Sequence, residues 1–136
     1  MWTLAEKRIG VGVTLPDLTI ALTPTVTVSA APATMDFTPV HHDVESARAQ
    51  GAKGIFLNIL TTMGLVERYV TDWAGPEALI RGINVKLGVP AYAGDTLTFS
   101  GAVAACDDGE FTVQVRGAVS LGDHASGTVR FALPGH

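Results

Sequence analysis

Charge is what this sequence has least of. Lys, Arg, Asp and Glu make up 16% of its 136 residues, against 47% hydrophobic, where a soluble domain ordinarily carries about 25% charged residues. Apolar surface left over by so few charges is most economically covered by another subunit. Long hydrophobic runs are missing too. A membrane-spanning helix needs roughly 18 or more apolar residues in succession, and the most apolar segment, 54–66, is broken by Asn58, Thr61 and Thr62. There is one cysteine, Cys106, which excludes an internal disulfide and a cysteine-based zinc site. It sits beside Asp107 with no cationic sequence neighbour to activate its thiol, so a nucleophilic role is not expected. Lys and Arg form no cluster and the net charge is −4, which speaks against nucleic acid as a partner. Glu6, Lys7 and Arg8 stand where an export signal would carry its apolar core, and the expected location is the cytoplasm. No metal-ligand spacing and no glycine-rich phosphate loop is present, so neither a metal nor a separate cofactor is expected.

The second half of the chain has a period of two. Ile83, Val85, Leu87 and Val89 alternate with more polar residues; so do Leu97, Phe99, Gly101 and Val103; then Phe111 to Leu121; then Val129, Phe131 and Leu133. Each run has one apolar and one polar face, as in an antiparallel sheet covered on one side. The separators are turn chemistry: Tyr92-Ala93-Gly94-Asp95, Asp107-Asp108-Gly109 and Gly122-Asp123-His124. Upstream, 18–22 and 25–30 read as shorter strands around Pro24. Asp43 is an N-cap candidate for a short helix stopped by Gly51. A longer helix is expected from about Ile55 to Trp73, ended by Gly75-Pro76. Its first half is apolar nearly all round and must be enclosed, which requires the sheet to curl about it. That is an α+β hot-dog domain, and such domains pair because one sheet leaves an edge exposed. No repeat, low-complexity tract or linker divides residues 1–136, which read as one domain.

The chemistry concentrates in Asp36-Phe37-Thr38-Pro39-Val40-His41-His42-Asp43, ahead of the first helix after the early strands. A carboxylate and a neutral imidazole that both contact one water can move its protons during addition to an activated double bond. Spacing through a proline-containing turn permits Asp36 and His41 to do this. It equally permits a turn aspartate and an ordinary loop histidine. His42 is expected to point away from His41 in a solvated or hydrogen-bonded loop role, Asp43 to cap a helix, and His124 to sit in its Gly-Asp-His turn without metal or catalytic work.

This stretch resembles the MaoC-like, (R)-specific enoyl-CoA hydratase family, whose pattern runs Asp-x-Asn-Pro-x-His-x-Asp, then Ala and Gly. Asp36, Pro39, His41, Asp43, Ala47 and Gly51 fall on it in register. From about Ala33 onward, GIFLNILTTMGLVERYVTDWAGPEALI and LGVPAYAGDTLTFSG look like the small subunits of actinobacterial steroid-degrading enoyl-CoA hydratases. The resemblance implies the hot-dog fold and hydration of a 2-enoyl-CoA thioester, CoA being part of the substrate. It implies Asp36 and His41 as the catalytic pair, a (3R)-hydroxyacyl product with both new bonds on one face, and a steroid-type acyl group. It also implies a larger MaoC-like subunit as partner, with a homodimer as the form open to the chain alone. Two departures stand out. Thr38 replaces the family's Asn, which implies a looser loop. Asn58-Ile59 replaces His-Gly, whose glycine N–H faces the thioester oxygen in the family. The Ile59 N–H can serve as that oxyanion donor, or Ile59 is core; Asn58 orients substrate or loop, or is a buried, satisfied amide. A hot-dog thioesterase with a helix carboxylate, Glu67 or Asp72, and a non-catalytic partner subunit are the other readings.

Overall fold

The alternating runs pair into a five-stranded antiparallel sheet in the computed structural model, which describes residues 9–134. Glu6, Lys7 and Arg8, which carry the expectation about export, lie outside the described residues. The strands are β1 (Thr14–Ala21), β2 (Leu79–Leu87), β3 (Thr96–Asp107), β4 (Glu110–Val119) and β5 (Gly122–Ala132), in the order β1-β3-β4-β5-β2. Asp108 and Gly109, with φ of 50° and 76°, make the two-residue turn between β3 and β4; positive φ at both positions matches the right-handed twist of the strands.

The long helix α3 (Ile59–Ala74) touches β1 and β2, the two edges of the sheet, as well as β4 and β5 between them. A sheet that reaches one helix with both edges is curled around it, which is the expected hot-dog arrangement. The helix buries Thr62, Val66, Tyr69, Val70 and Ala74, a stripe at helical spacing. Leu97, Phe99, Val113, Val129 and Phe131 supply the opposing sheet core and are inaccessible to solvent. Tyr69 stacks on Phe99 with centroids 5.7 Å apart. Among the described residues no helix is long and apolar enough to cross a membrane.

Four expectations need correction. Residues 25–30 are not a strand but most of helix α1 (Pro24–Ala33). The Thr23 side chain accepts the Val26 N–H at 3.1 Å and Pro24 occupies the first turn, a start signal that outweighs the alternating Thr-Val-Thr-Val. Secondly, α3 begins at Ile59, not Ile55. Residues 55–58 are extended because they pair with 91–93: Leu57 N–H donates to the Ala91 carbonyl at 2.9 Å and Ala93 N–H to the Ile55 carbonyl at 3.1 Å. Thirdly, the first turn of α3 is not enclosed, since Ile59 and Leu60 are 46% and 51% exposed. Finally, Gly122-Asp123-His124 opens β5 rather than forming a turn. As expected, Asp43 caps α2 (Val44–Ala49), accepting from the Glu45 and Ser46 N–H groups, and Gly51 at φ 91° follows it.

Replacing the cap of α1, Thr23→Ala, should cost about 1 kcal/mol. Urea unfolding of the purified chain reads this directly, and an unchanged midpoint and slope would contradict the capping assignment.

Candidate active site

The loop after α1 turns through a single 3₁₀ turn (Pro39–His41) that Thr38 and Pro39 set up. Proline fixes φ where the turn begins, and His41 is thereby carried inward and buried to 7% exposure. His42, its neighbour, faces solvent, as expected. Inside, His41 Nδ1 lies 2.8 Å from the Phe56 carbonyl oxygen. A carbonyl only accepts, so Nδ1 carries a proton, and whenever the ring is neutral Nε2 is the nitrogen left with its lone pair. The Phe56 ring meets the imidazole edge-on at 5.0 Å.

His41 Nε2 lies 3.2 Å from Asp36 Oδ2. The two carboxylate oxygens have different surroundings. Oδ1 accepts from the Thr38 hydroxyl at 2.7 Å and the Thr38 N–H at 3.2 Å; Oδ2 faces the imidazole. The Thr38 hydroxyl, then its N–H, holds the Asp36 carboxyl below the usual carboxylate range, with smaller help from His41 and Asn58. Thr38 therefore tightens the loop that its departure from the family pattern was expected to loosen.

Asp36 and His41 line a cavity of about 270 Å³ with Phe56, Leu57, Ile59, the segment Leu87-Gly88-Val89-Pro90, and His124. The Ile59 N–H, in the first turn of α3, belongs to the donors a helix cannot satisfy internally. Its side chain is half exposed, not core. Asn58 is the satisfied amide: 1% exposed, it donates to Thr34 Oγ1 at 2.7 Å and accepts from Thr61 Oγ1 at 2.5 Å. Glu67 and Asp72 are exposed and Asp72 pairs with Arg68; neither lines this cavity. Among the described residues, no three His, Cys, Asp or Glu side chains gather as a metal site, and Cys106 is exposed. A larger cavity of about 440 Å³, which Arg48, Lys53 and Tyr92 help to line, holds no acid–base pair.

His124 is the residue that sequence reasoning missed. It is 3% exposed, with Nδ1 2.8 Å from the Val89 carbonyl and Nε2 2.8 Å from Thr62 Oγ1. Burial is the main cause holding its pKa below the ordinary histidine value. No signal in the sequence could have found it: counting back by twos from Val129 does not reach His124, and its inward position coincides with the irregular pairing at Gly117/Ala118.

The model of the MaoC-like domain matches residues 9–124. The chain belongs to the MaoC-like domain family. It is 58% identical over 123 residues to the beta subunit of 3-oxo-4,17-pregnadiene-20-carboxyl-CoA hydratase of Mycobacterium tuberculosis, covering 90% of this chain and 95% of the relative. It superposes on a chain of the ChsH1–ChsH2 complex from the same organism with a TM-score of 0.90 at 57% identity, covering 91% and 98% of the two chains. The (R)-hydratase of A. caviae shares the fold at 19% identity, with a TM-score of 0.84 and coverage of 93% and 98%. The expected class of enzyme, a MaoC-like hydratase, is thus borne out.

A buried, neutral His124 makes this MaoC-like domain acid-sensitive. The unfolded chain takes up a proton near pH 6.5 and the native imidazole only at lower pH, so stability is complete above that value. It falls as pH drops from there to the depressed native pKa. Unfolding free energies measured by urea across this window should decline more steeply for the wild type than for His124→Gln; equal slopes would contradict the assignment.

Proposed function

We propose that this chain is the catalytic small subunit of a hydratase that adds water across the 2,3-double bond of an enoyl-CoA thioester bearing a steroid-type side chain. The observation that carries this reading is the Asp36–His41 pair, with one carboxylate oxygen held by Thr38 and the other facing an imidazole lone pair at 3.2 Å. A water beside the pair meets two proton acceptors at once. One proton passes from the water to the pair as the oxygen bonds to C3, and the electrons of the double bond move toward the thioester oxygen. The Ile59 N–H, at the positive end of α3, steadies that developing charge. The pair then returns one proton to C2, so that one water is consumed and both side chains regain their starting protonation. No cofactor enters the reaction; CoA belongs to the substrate.

The steroid-type acyl group follows the name of the 58% identical relative, a pregnadiene carboxyl-CoA hydratase beta subunit. A partner follows from geometry as well as from the hetero-complex of the similar structure. The cavity of about 270 Å³ falls below the roughly 300–1,000 Å³ of ligand sites. Exposed apolar residues flank it: Met35 and Phe37 beside Asp36, and Ile59 and Leu60 at the head of α3. A larger MaoC-like subunit covering these residues completes the pocket. The cytoplasm suits an exposed single thiol. A thioesterase would need a carboxylate at the thioester from the central helix, and Glu67 and Asp72 are exposed to solvent instead.

Asp36→Asn and His41→Ala should each slow hydration by about 10²–10⁴-fold with unchanged circular dichroism. Loss of enoyl-thioester absorbance without release of free thiol is the expected readout; thiol release by the wild type, or near-normal turnover in either variant, sinks the reading. Co-expressed with its larger subunit, the chain should elute as a hetero-oligomer that Leu60→Glu disrupts. Size-exclusion chromatography with light scattering decides this, and a stable complex in the variant would place the interface elsewhere.

A further inference from the structure

Hydration by Asp36, His41 and the Ile59 N–H leaves one buried titratable group unused on the wall of the catalytic cavity. His124 reaches that wall from β5 and makes two hydrogen bonds of 2.8 Å. Its Nδ1 faces the Val89 carbonyl, which can only accept, so the proton sits on Nδ1 and Nε2 must accept. The donor to Nε2 is therefore the Thr62 hydroxyl. Thr62 is itself inaccessible to solvent, and lies one helical turn after the N-cap of α3. Its N–H donates to the Asn58 carbonyl at 3.1 Å, and its Oγ1 lies 3.4 Å from the same oxygen. The single hydroxyl proton goes to His124 at 2.8 Å, so the N–H is what holds that carbonyl.

The Asn58 carbonyl and the Ile59 N–H belong to one peptide unit. In a planar trans peptide the two point in opposite directions, so whatever fixes the carbonyl also aims the N–H. The Thr62 N–H fixes the carbonyl, and His124 fixes Thr62 through its hydroxyl. The other ring nitrogen ties the same imidazole to Val89, while Gly88 N–H donates to the His124 carbonyl at 2.8 Å and Val89 N–H to the Asp123 carbonyl at 2.9 Å. The segment 88–90 and the head of α3 are the two walls of the cavity that do not carry the acid–base pair. His124 stands between them.

We propose that His124, acting through Thr62, is a positioning residue that aims the Ile59 N–H at the thioester oxygen and sets the distance between the two cavity walls. The proposal rests on the hydratase reading for its consequence in catalysis, and on hydrogen bonding alone for its geometry. Neutral His124 suits the task because its acceptor nitrogen, at 2.8 Å, takes the Thr62 hydroxyl proton in preference to the Asn58 carbonyl at 3.4 Å. Misalignment of an oxyanion donor removes an interaction made in the transition state, not in the ground state. It therefore shows in kcat with little change in KM.

The test uses the full-length chain together with its larger subunit. Thr62→Val keeps the shape and removes the hydroxyl; Thr62→Ser keeps the hydroxyl. Thr62→Val should lower kcat by about tenfold or more, up to the roughly 10²–10³-fold of losing a donor outright, with KM within about twofold of wild type. Thr62→Ser should restore most of the rate. Nitrogen-15 NMR of the same proteins should show the Ile59 amide displaced and exchanging faster in Thr62→Val and in His124→Leu, and returned in Thr62→Ser. A raised KM with unchanged kcat, or a serine variant as slow as the valine one, overturns the proposal. So does an unmoved Ile59 amide, and that measurement decides the geometry whatever the turnover. Absence of hydration by the wild type would instead strike the functional reading.

Discussion

The site depends on the hydrogen bond from His41 Nδ1 to the Phe56 carbonyl. That carbonyl is available only because α3 starts late. Were residues 55–58 helical, the Phe56 oxygen would accept the N–H four residues on, from Leu60, and His41 would lose the partner that sets its tautomer. Pairing of 55–57 with 91–93 keeps the segment extended. One backbone arrangement thus frees a carbonyl for the imidazole and leaves the Ile59 N–H at the head of the helix without an internal partner. His41 and the Ile59 N–H are placed by the same three residues.

The two buried histidines are held in the same way and do different things. Each gives its Nδ1 proton to a main-chain carbonyl, Phe56 for His41 and Val89 for His124. What differs is the group on Nε2. His41 faces Asp36 Oδ2 at 3.2 Å, the carboxylate oxygen that Thr38 leaves unbonded. His124 faces a hydroxyl that donates to it at 2.8 Å, and its burial favours the uncharged ring. Two imidazoles thus share a single cavity, told apart by their second partners.

The sheet was legible in the sequence because alternation with period two runs as far as Val103 in β3 and to the end of β4, and because Asp108-Gly109 and Gly94 mark the turns chemically. The Asp36–His41 pair was legible through Pro39, Asp43, Ala47 and Gly51 in register with a known pattern. Residues 25–30 misled because Val and Thr at alternate positions look like a strand, while the decisive signal was the pair Thr23-Pro24 just before them. The start of α3 was hidden because Ile55-Phe56-Leu57 is as apolar as the helix after it, and only its long-range partner at 91–93 makes it extended. His124 was hidden for a similar reason. Its inward position coincides with an irregularity in the pairing of β4 with β5, which no local pattern announces. The role of Thr38 was likewise beyond pattern matching, since it rests on the contact of its hydroxyl and N–H with Asp36 Oδ1.

Asp36 and His41 approach each other to 3.2 Å on one side of the cavity, so in the proposed hydration water and proton reach the double bond from that same side. The most direct test is the stereochemistry of hydration in deuterium oxide. A (2E)-enoyl-CoA substrate is turned over by the complex, and the product is examined by proton NMR for the position of the new deuterium at C2. Delivery of deuterium to the face that carries the new C3 hydroxyl is the predicted result. Deuterium on the opposite face would require an acid on the far wall, where His124 is already engaged at both ring nitrogens, and would contradict the account.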